Sequence, residues 1–402
     1  MLNKKKQVHP NIVLCSLFLG YMMVYIDKLS VGISIVSINQ DYPMSEGTKG
    51  LILSAFFIGY ALMQVPMSFL INRFGARYVI VSSLLLIGFF DFLFGISSSI
   101  EMLIAMRLLT GMLAHSGYAS AASKEVTESF PIEKRTFVKG ILISSSGVAG
   151  ILGPILLSPI IEINGWRAGY TILTLISLTL AVIVTFTIPK KEKREATKDN
   201  TATASITSIW KMPMIWSLFF AAFFANNLVY GLNNWLPSYL TSVRGLSLTH
   251  SGFIASFIGL FSLIGALAGS YMASHFFSTK DKEIIMITSF VAGILVFFAY
   301  FVSSIYLFAL LLGSASLLLT TTFVVLMAIP MKCFEGALFA PSYSTIATGG
   351  IIGGAVAQLV IGFLVESTGS YLTVFLYFLS LGFLTCISML FMKETTNKKN
   401  EV

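Results

Sequence analysis

Residues 305–328 read IYLFALLLGSASLLLTTTFVVLMA, a stretch without a single charged side chain. As an α-helix it would be about 36 Å long, which is enough to cross the hydrocarbon core of a bilayer. A backbone polar group in lipid has to be hydrogen-bonded internally, so a helix is the structure that this composition favours. The stretch therefore predicts a membrane-spanning helix.

Comparable apolar stretches fill the rest of the chain. The composition is 56% hydrophobic and only 11% charged, whereas soluble domains carry roughly 25% charged residues. The sequence therefore predicts an all-α membrane protein with twelve transmembrane helices. We place these helices at residues 11–37, 48–71, 76–98, 101–123, 136–161, 168–188, 213–240, 250–277, 284–303, 305–328, 337–365 and 370–392.

The basic residues predict how these helices are oriented. Of the 26 Lys and Arg residues, 21 fall in tails and loops on one side of the predicted membrane, and the other side carries only Lys49, Arg167 and Arg244. Basic loops stay in the cytoplasm. We therefore predict a multi-pass protein of the cell membrane with both termini in the cytoplasm. This distribution explains the net charge of +8, so we expect no nucleic-acid partner.

The two halves of the chain repeat short patterns. G-x-I-x-S begins the second predicted helix at Gly50 and the eighth at Gly252, and E-x-x-G ends the fifth helix at Glu162 and the eleventh at Glu366. The nearly equal offsets indicate a duplicated six-helix unit, an architecture of known transporters. We predict bundles at residues 1–188 and 212–402, joined by a cytoplasmic linker at 189–211.

Several motifs resemble one family. Residues 68–77, SFLINRFGAR, are similar to the G-x-L-x-D-R-x-G-R-R/K loop of the major facilitator superfamily, and Arg107 with Gly111 matches its R-x-x-x-G. The resemblance extends over essentially the whole chain. It implies the major facilitator fold, with two six-helix bundles that work by alternating access. It also implies a gating-loop role for Asn72, Arg73, Gly75 and Arg77.

Two further motifs narrow the resemblance to one branch. Residues 25–28, YIDK, resemble the Y-x-D-R of the anion:cation symporter group, and residues 235–240, WLPSYL, resemble its W-L-P-T-Y-L. The resemblance implies uptake of small organic anions, such as sugar acids, together with protons. The chain departs from the pattern at Lys28, where Arg is usual. Ala114 and His115 occupy the stretch where the group has a fourth-helix carboxylate.

Four charged residues fall well inside predicted helices: Asp27, Lys28, Asp91 and Arg107. Such charges are costly in lipid, so they serve a function or pair with one another. We predict that Asp27 couples transport to protons. Arg107 would then face a water-filled crevice, where it alternates between Asp27 and a substrate carboxylate. The alternative is a fixed Asp91–Arg107 ion pair that only joins the third and fourth helices.

His115, Lys28 and Tyr25 complete the candidate site in the first half. Imidazole titrates near neutral pH, so we predict that His115 takes part in proton coupling. The alternative is a hydrogen-bonded packing residue. Lys28 and Tyr25 follow helical spacing and are predicted to line the substrate site. The alternative for Lys28 is a local pair with Asp27, with its ammonium extending outward to the interface.

The seventh predicted helix carries a polar stripe at helical spacing. In a lipid-length helix such a stripe has to face protein or water. We predict that it forms the substrate-cavity wall of the second half, and the alternative is hydrogen bonding between helices. The stripe consists of Asn226, Asn227, Tyr230, Asn233 and Asn234.

These observations predict a secondary active transporter that moves a small organic anion by proton symport. The alternative function is a proton-antiport exporter of a drug or small metabolite. No nucleophile–base pair or metal-ligand spacing is present, so we predict no enzyme activity, no cofactor and no metal site. The expected partners are a small-molecule substrate, protons and the lipid bilayer, and we expect a monomer.

Overall fold

A computed structural model describes residues 9–189, 209–275, 280–334 and 338–392. The predicted linker lies mostly outside these ranges, as do the two basic tails. The described residues form helices joined by short connections. The helices are α1 (Pro10–Asp41), α2 (Glu46–Phe74), α3 (Ala76–Gly95), α4 (Ile100–Leu109), a π-helical turn (Thr110–His115), α5 (Tyr118–Ser129), α6 (Ile132–Thr187), α7 (Pro213–Ser242), α8 (Leu248–His275), α9 (Asp281–Phe301), α10 (Ile305–Cys333), α11 (Phe339–Thr368) and α12 (Leu372–Leu390).

These elements amount to twelve spans, which confirms the predicted fold class. The fourth span consists of α4, the π-helical turn and α5. The fifth and sixth spans run together in α6, and Gly165, at φ +77°, separates them. In the described ranges nine helices are long and apolar enough to cross a membrane. The largest differences from the predicted bounds are the extension of the fourth span to Ser129 and the run-on at Gly165.

Serine and glycine set many helix ends. Ser45 begins α2 by accepting a hydrogen bond from the backbone N–H of Thr48, and Ser99 does the same for Met102 in α4. Such side-chain oxygens satisfy N–H groups that lack a partner in the first turn. Within the described ranges, positive φ occurs at Gly75, Gly165, Gly245 and Gly369. Gly75 and Gly369 directly follow helix ends, Gly165 interrupts α6, and Gly245 lies in the connection between α7 and α8. A side chain with a Cβ would be strained at such φ values.

The chain divides into two compact units. The first unit comprises the described residues of Met1–Ala196, Leu232–Leu263 and Gln358–Gly369. It thus contains the first six spans together with the end of α7, the start of α8 and the end of α11. Its core includes the fully buried side chains of Phe56, Phe94, Tyr118, Trp166 and Tyr170.

The second unit comprises the described residues of Thr197–Gly231, Ile264–Ala357 and Ser370–Val402. Its core joins α7 to α9, α10, α11 and α12 through apolar side chains such as Ile215, Leu218, Ile285 and Val325. The division of the chain into six-helix bundles at residues 189–211 stays a prediction.

The backbones of α2 and the fourth span are in close contact, and this contact determines which side chains are buried between the two helices. A Cβ added to Gly111 would lie 1.9 Å from the carbonyl oxygen of Phe56, and one added to Gly59 would lie 2.1 Å from that of Leu108. Only glycine permits such an approach, so Phe56 is held directly against the fourth span.

We therefore expect Gly111→Ala to destabilise the protein by about 1–3 kcal/mol, because the added methyl group forces the two backbones apart. Thermal unfolding in detergent measures this effect. Gly140→Ala in α6 is the matched control, since no atom lies within 4 Å of an added Cβ. Alanine favours a helix over glycine by about 1 kcal/mol, so the control should raise the melting temperature. An equal response of the two variants would contradict the argument.

Candidate functional site

A buried ionic cluster centres on Asp27 of α1. Its Oδ1 atom lies 3.4 Å from Nη1 of Arg107, and its Oδ2 atom lies 2.5 Å from Nε2 of His115. The exposed fractions of these residues are 0% for Asp27, 1% for Arg107 and 2% for His115. The structure thus brings together both predicted proton-coupling residues and one predicted substrate-binding residue.

The π-helical turn explains why His115 contacts Asp27. In an uninterrupted α-helix, Ala114 would share a face with Arg107, and His115 would point about 80° away. A π-turn takes up one extra residue and shifts the following side chains by one position. His115 therefore occupies the place on the helix face that regular geometry would give to Ala114.

Phe56 of α2 joins the cluster on its apolar side. The Cζ atom of Arg107 lies 4.7 Å from the centre of the Phe56 ring, and the His115 ring packs against it edge-on with centres 4.7 Å apart. The ring thus limits how either group can turn. Sequence reasoning missed this residue, because no pattern distinguishes it among the 34 phenylalanines.

Asp91 of α3 is also part of the cluster, with an exposed fraction of 1%. Its carboxyl group interacts electrostatically with Asp27 and with Arg107. The sequence allowed a fixed Asp91–Arg107 ion pair as the alternative. In the structure, Arg107 forms its ion pair with Asp27 instead. Two buried atoms, Nε of Arg107 and Oδ2 of Asp91, have no hydrogen-bond partner.

The cluster does not face water as the sequence led us to expect. Asp27, Arg107 and His115 are packed inside the first unit, and their low exposure excludes a water-filled crevice around them in this conformation. The physical reason is the tight contact of α2 with the fourth span, which closes the cluster with Phe56. Exchange of a proton or an anion with these groups requires a rearrangement of the helices.

Lys28 lies on another face of α1, within an aromatic cage. Its Nζ atom is 5.1 Å from the centre of the Phe57 ring, 5.7 Å from that of Tyr60 and 5.8 Å from that of Tyr25. The exposed fraction of Lys28 is 7%, so its ammonium does not extend outward to the interface. Tyr25 and Lys28 thus lie close together, and their predicted role in substrate binding stays a prediction.

The polar stripe of α7 is divided between the two units. In the second unit, Asn226 donates to the carbonyl of Ala222, and Asn227 accepts a hydrogen bond from the Tyr377 hydroxyl at 3.0 Å. The Nδ2 atom of Asn227 is buried without a hydrogen-bond partner. Tyr230, the remaining stripe residue in this unit, is half-buried. Part of the stripe thus serves hydrogen bonding within this unit.

Asn233 and Asn234 belong to the first unit. The backbone of Asn234 touches α1, since a Cβ added to Gly32 would lie 2.8 Å from the Asn234 Cα. The Oδ1 atom of Asn234 is buried without a hydrogen-bond partner. The substrate-binding role of the whole stripe stays a prediction.

The predicted gating loop connects α2 to α3. Gly75 turns the chain at φ +91°, Asn72 accepts a hydrogen bond from Lys124 at 3.2 Å, and Arg77 donates to a backbone carbonyl of α6 at 2.6 Å. Arg73 lies over the ring of the neighbouring phenylalanine. These bonds attach the loop to α5 and α6, and its gating role stays a prediction.

Twelve apolar spans, together with a buried ionic cluster in the first unit, place the protein in the class of polytopic membrane transporters. The sequence profile of the Major Facilitator Superfamily matches residues 17–335. The chain belongs to this superfamily, as its motifs predict. The family and the relatives described next are transporters, which confirms the prediction that the protein is not an enzyme.

Curated relatives match almost the full chain. A "Probable sulfoacetate transporter" of Cupriavidus necator is 24% identical, with 90% of this chain and 88% of that protein covered. A hexuronate transporter of Bacillus subtilis is also 24% identical, with 90% of each chain covered. A quinolone resistance transporter of Acinetobacter baumannii is 26% identical, with 91% and 89% covered.

Among solved structures, the chain is similar to a bacterial homolog of the human lysosomal transporter Spinster in an inward-facing, occupied conformation. The TM-score is 0.77 at 16% identity, and the match covers 95% of this chain and 94% of that one. This likeness supports the fold.

The partner of Arg107 can be tested by rescue. Arg107→Gln should lower stability by about 3 kcal/mol, because it leaves a buried carboxylate without its counter-charge. Adding Asp27→Asn should recover most of the loss, since it removes that charge. Adding Asp91→Asn is the matched control and should recover little. Melting temperatures in detergent measure all four chains, and rescue by Asp91→Asn alone would show that Asp91 is the partner.

Proposed function

We propose that the protein is a secondary active transporter that moves a small organic anion by proton symport and alternating access. The observation that carries this proposal is the contact of Asp27 with both His115 and Arg107 inside the membrane helices. The sulfoacetate and hexuronate transporters among its relatives support an anionic substrate. We propose a sugar acid or a similar carboxylate as the substrate class.

The Asp27–His115 pair is suited to hold the coupled proton. At a separation of 2.5 Å the carboxylate and imidazole share one hydrogen bond, and a proton can reside on either group with little movement of heavy atoms. Imidazole exchanges protons near neutral pH. After Asp27, His115 is thus the second titratable group of the site. It lies on the fourth span, where related transporters are expected to have a carboxylate.

Arg107 links the proton to the anion. Its guanidinium neutralises Asp27 while the carboxyl is ionised. Once the Asp27–His115 pair is protonated, Asp27 no longer needs this counter-charge. A guanidinium can then hold a carboxylate through two hydrogen bonds. The unpartnered Nε of Arg107 supports this role, because a purely structural ion pair would leave fewer buried donors unsatisfied.

The charge of the cluster favours joint binding of proton and anion. Asp27 and Asp91 balance Lys28 and Arg107 when all four are ionised, so one added proton leaves a net charge of +1. A monoanion restores neutrality, which lowers the cost of moving the loaded site through the membrane. Lys28, caged by aromatic rings, is the second cation available to the anion.

The remaining assignments complete the proposal. The substrate site is built from Tyr25, Lys28, Arg107 and the α7 stripe, and the α2–α3 loop takes part in gating. Two six-helix bundles alternate access to this site. The protein works as a monomer in the cell membrane. Both termini lie in the cytoplasm, as the distribution of basic residues indicates.

A second candidate function is export of a drug or small metabolite by proton antiport. The quinolone resistance transporter, at 26% identity over 91% of this chain, favours it. Both functions need a titratable group in the membrane. They differ in the direction in which substrate moves when the proton gradient is applied.

Asp27→Asn should abolish accumulation driven by a proton gradient, because the amide cannot carry the proton. Uptake of labelled hexuronate, sulfoacetate and tartrate into proteoliposomes measures this. Exchange of labelled for unlabelled substrate without a gradient is the internal control and should persist in the variant. Undiminished gradient-driven accumulation would overturn the assignment. Acid-driven efflux of a quinolone or dye, without anion uptake, would favour the second candidate.

Lys28→Met should raise the KM for an anionic substrate about tenfold or more, because an ion pair in a dry site contributes more than about 1.4 kcal/mol. Lys28→Arg is the matched control and should keep KM within about threefold, since it keeps the charge. Initial uptake rates over a range of substrate concentrations give both values. Equal KM values for the Met and Arg variants would exclude Lys28 from anion binding.

A further inference from the structure

Two glutamates at helix ends make the same contact at two places in the chain. The Oε2 atom of Glu162, near the break in α6, accepts a hydrogen bond from the backbone N–H of Thr249 at 2.6 Å. The Oε2 atom of Glu366, near the end of α11, accepts one from the backbone N–H of Gly47, also at 2.6 Å. Thr249 and Gly47 are the second residues of α8 and α2.

The surroundings of the two contacts match as well. Glu366 also interacts with the side chain of Ser45, the residue before α2, and Glu162 interacts with that of Ser247, the residue before α8. Each carboxylate therefore lies at a helix N-terminus, where N–H groups lack partners and the helix dipole favours negative charge.

The sequence repeat accounts for this match. Ser45 and Ser247 are 202 residues apart, as are Gly47 and Thr249, while Glu162 and Glu366 are 204 apart. Each contact joins one half of the chain to the other. The fifth span thus holds the start of the eighth, and the eleventh span holds the start of the second.

Glycines make room for these contacts. A Cβ added to Gly50 would lie 2.4 Å from the carbonyl oxygen of Gln358, and one added to Gly252 would lie 2.8 Å from that of Pro154. The helices that the glutamates join therefore also touch backbone to backbone. All of these residues belong to the first unit.

We propose that Glu162 and Glu366 are a pair of symmetry-related latches that close the outer end of the transporter. This inference rests on the proposed orientation and on alternating access. Both latches have to release before the outer side can open, because each one ties a helix of one half to a helix of the other. Their carboxylates are exposed, so the contacts can be broken and remade without uncovering a buried charge.

Spin-label distances test the latches without reference to any substrate or proton. Nitroxides at Ile163→Cys in α6 and Val243→Cys in the α7–α8 connection, both exposed positions, report how far the break in α6 lies from the connection that leads into α8. Cys15, Cys333 and Cys386 are first replaced by Ser. Four versions of the labelled protein are measured in lipid nanodiscs. One keeps both glutamates, two carry Glu162→Gln or Glu366→Gln alone, and the fourth carries the two substitutions together. Glu101→Gln, which removes a carboxylate from the start of α4, is the matched control.

Each single latch variant should raise the ratio of long-distance to short-distance populations about threefold, as expected for a charge at a helix terminus. The double variant should raise it about tenfold, because the two sites are independent. Added salt should increase the long-distance population with both glutamates present and have little effect in the double variant.

A double variant that matches Glu101→Gln in distance and in salt response would overturn the latches. The salt response of the chain with both glutamates decides the matter even if a variant folds poorly. If the unmodified protein shows no proton-coupled anion uptake, the proposed function is overturned. The spin-label distances would still report on the latches.

Discussion

The structure depends on the compensation of one carboxylate in the interior of a membrane protein. Asp27 is fully buried, and an isolated charge there would cost several kcal/mol, a large share of the stability of a typical fold. The fourth span supplies what it needs through Arg107 and His115, which both contact the carboxylate. The close packing of α2 on the fourth span, which Gly59 and Gly111 permit, follows from the same requirement, because it places Phe56 against both partners.

The fold was accessible from sequence because lipid leaves few choices. An uncharged stretch such as residues 305–328 has to be a helix in lipid, and the bounds of α10 in the structure, Ile305–Cys333, extend the prediction by five residues. The bounds are harder to predict where a helix continues past the apolar stretch. The fourth span runs on to Ser129 as the amphipathic α5, and α6 continues through Gly165, past the predicted end of the fifth helix at residue 161.

For the candidate site, the sequence predicts which charged residues take part but not how they pair. Buried charges are rare enough that Asp27, Lys28, Asp91 and Arg107 stand out in the sequence, but their pairing depends on rotation about helix axes. Regular helical geometry places Ala114 toward Arg107, and the π-helical turn places His115 there instead. A one-residue change of register has no signature in composition or periodicity. The same limit applies to Phe56, which is one apolar residue among many until the tertiary contact is known.

The glutamate contacts occur in both halves of the chain, whereas, among the residues that the structure describes, the buried charges occur in the first half only. Positions 202–204 residues after Asp27 carry Val229, Tyr230 and Gly231, and the equivalents of Arg107 and His115 fall among alanine and leucine at 309–311 and 317–319. Glu162 and Glu366, in contrast, both persist with their serine partners. This difference has a physical reason. In the proposed symport one ionic site is enough for one proton and one anion, and a second would add only the cost of burial. A closure that joins two halves has two seams, and each seam needs its own contact.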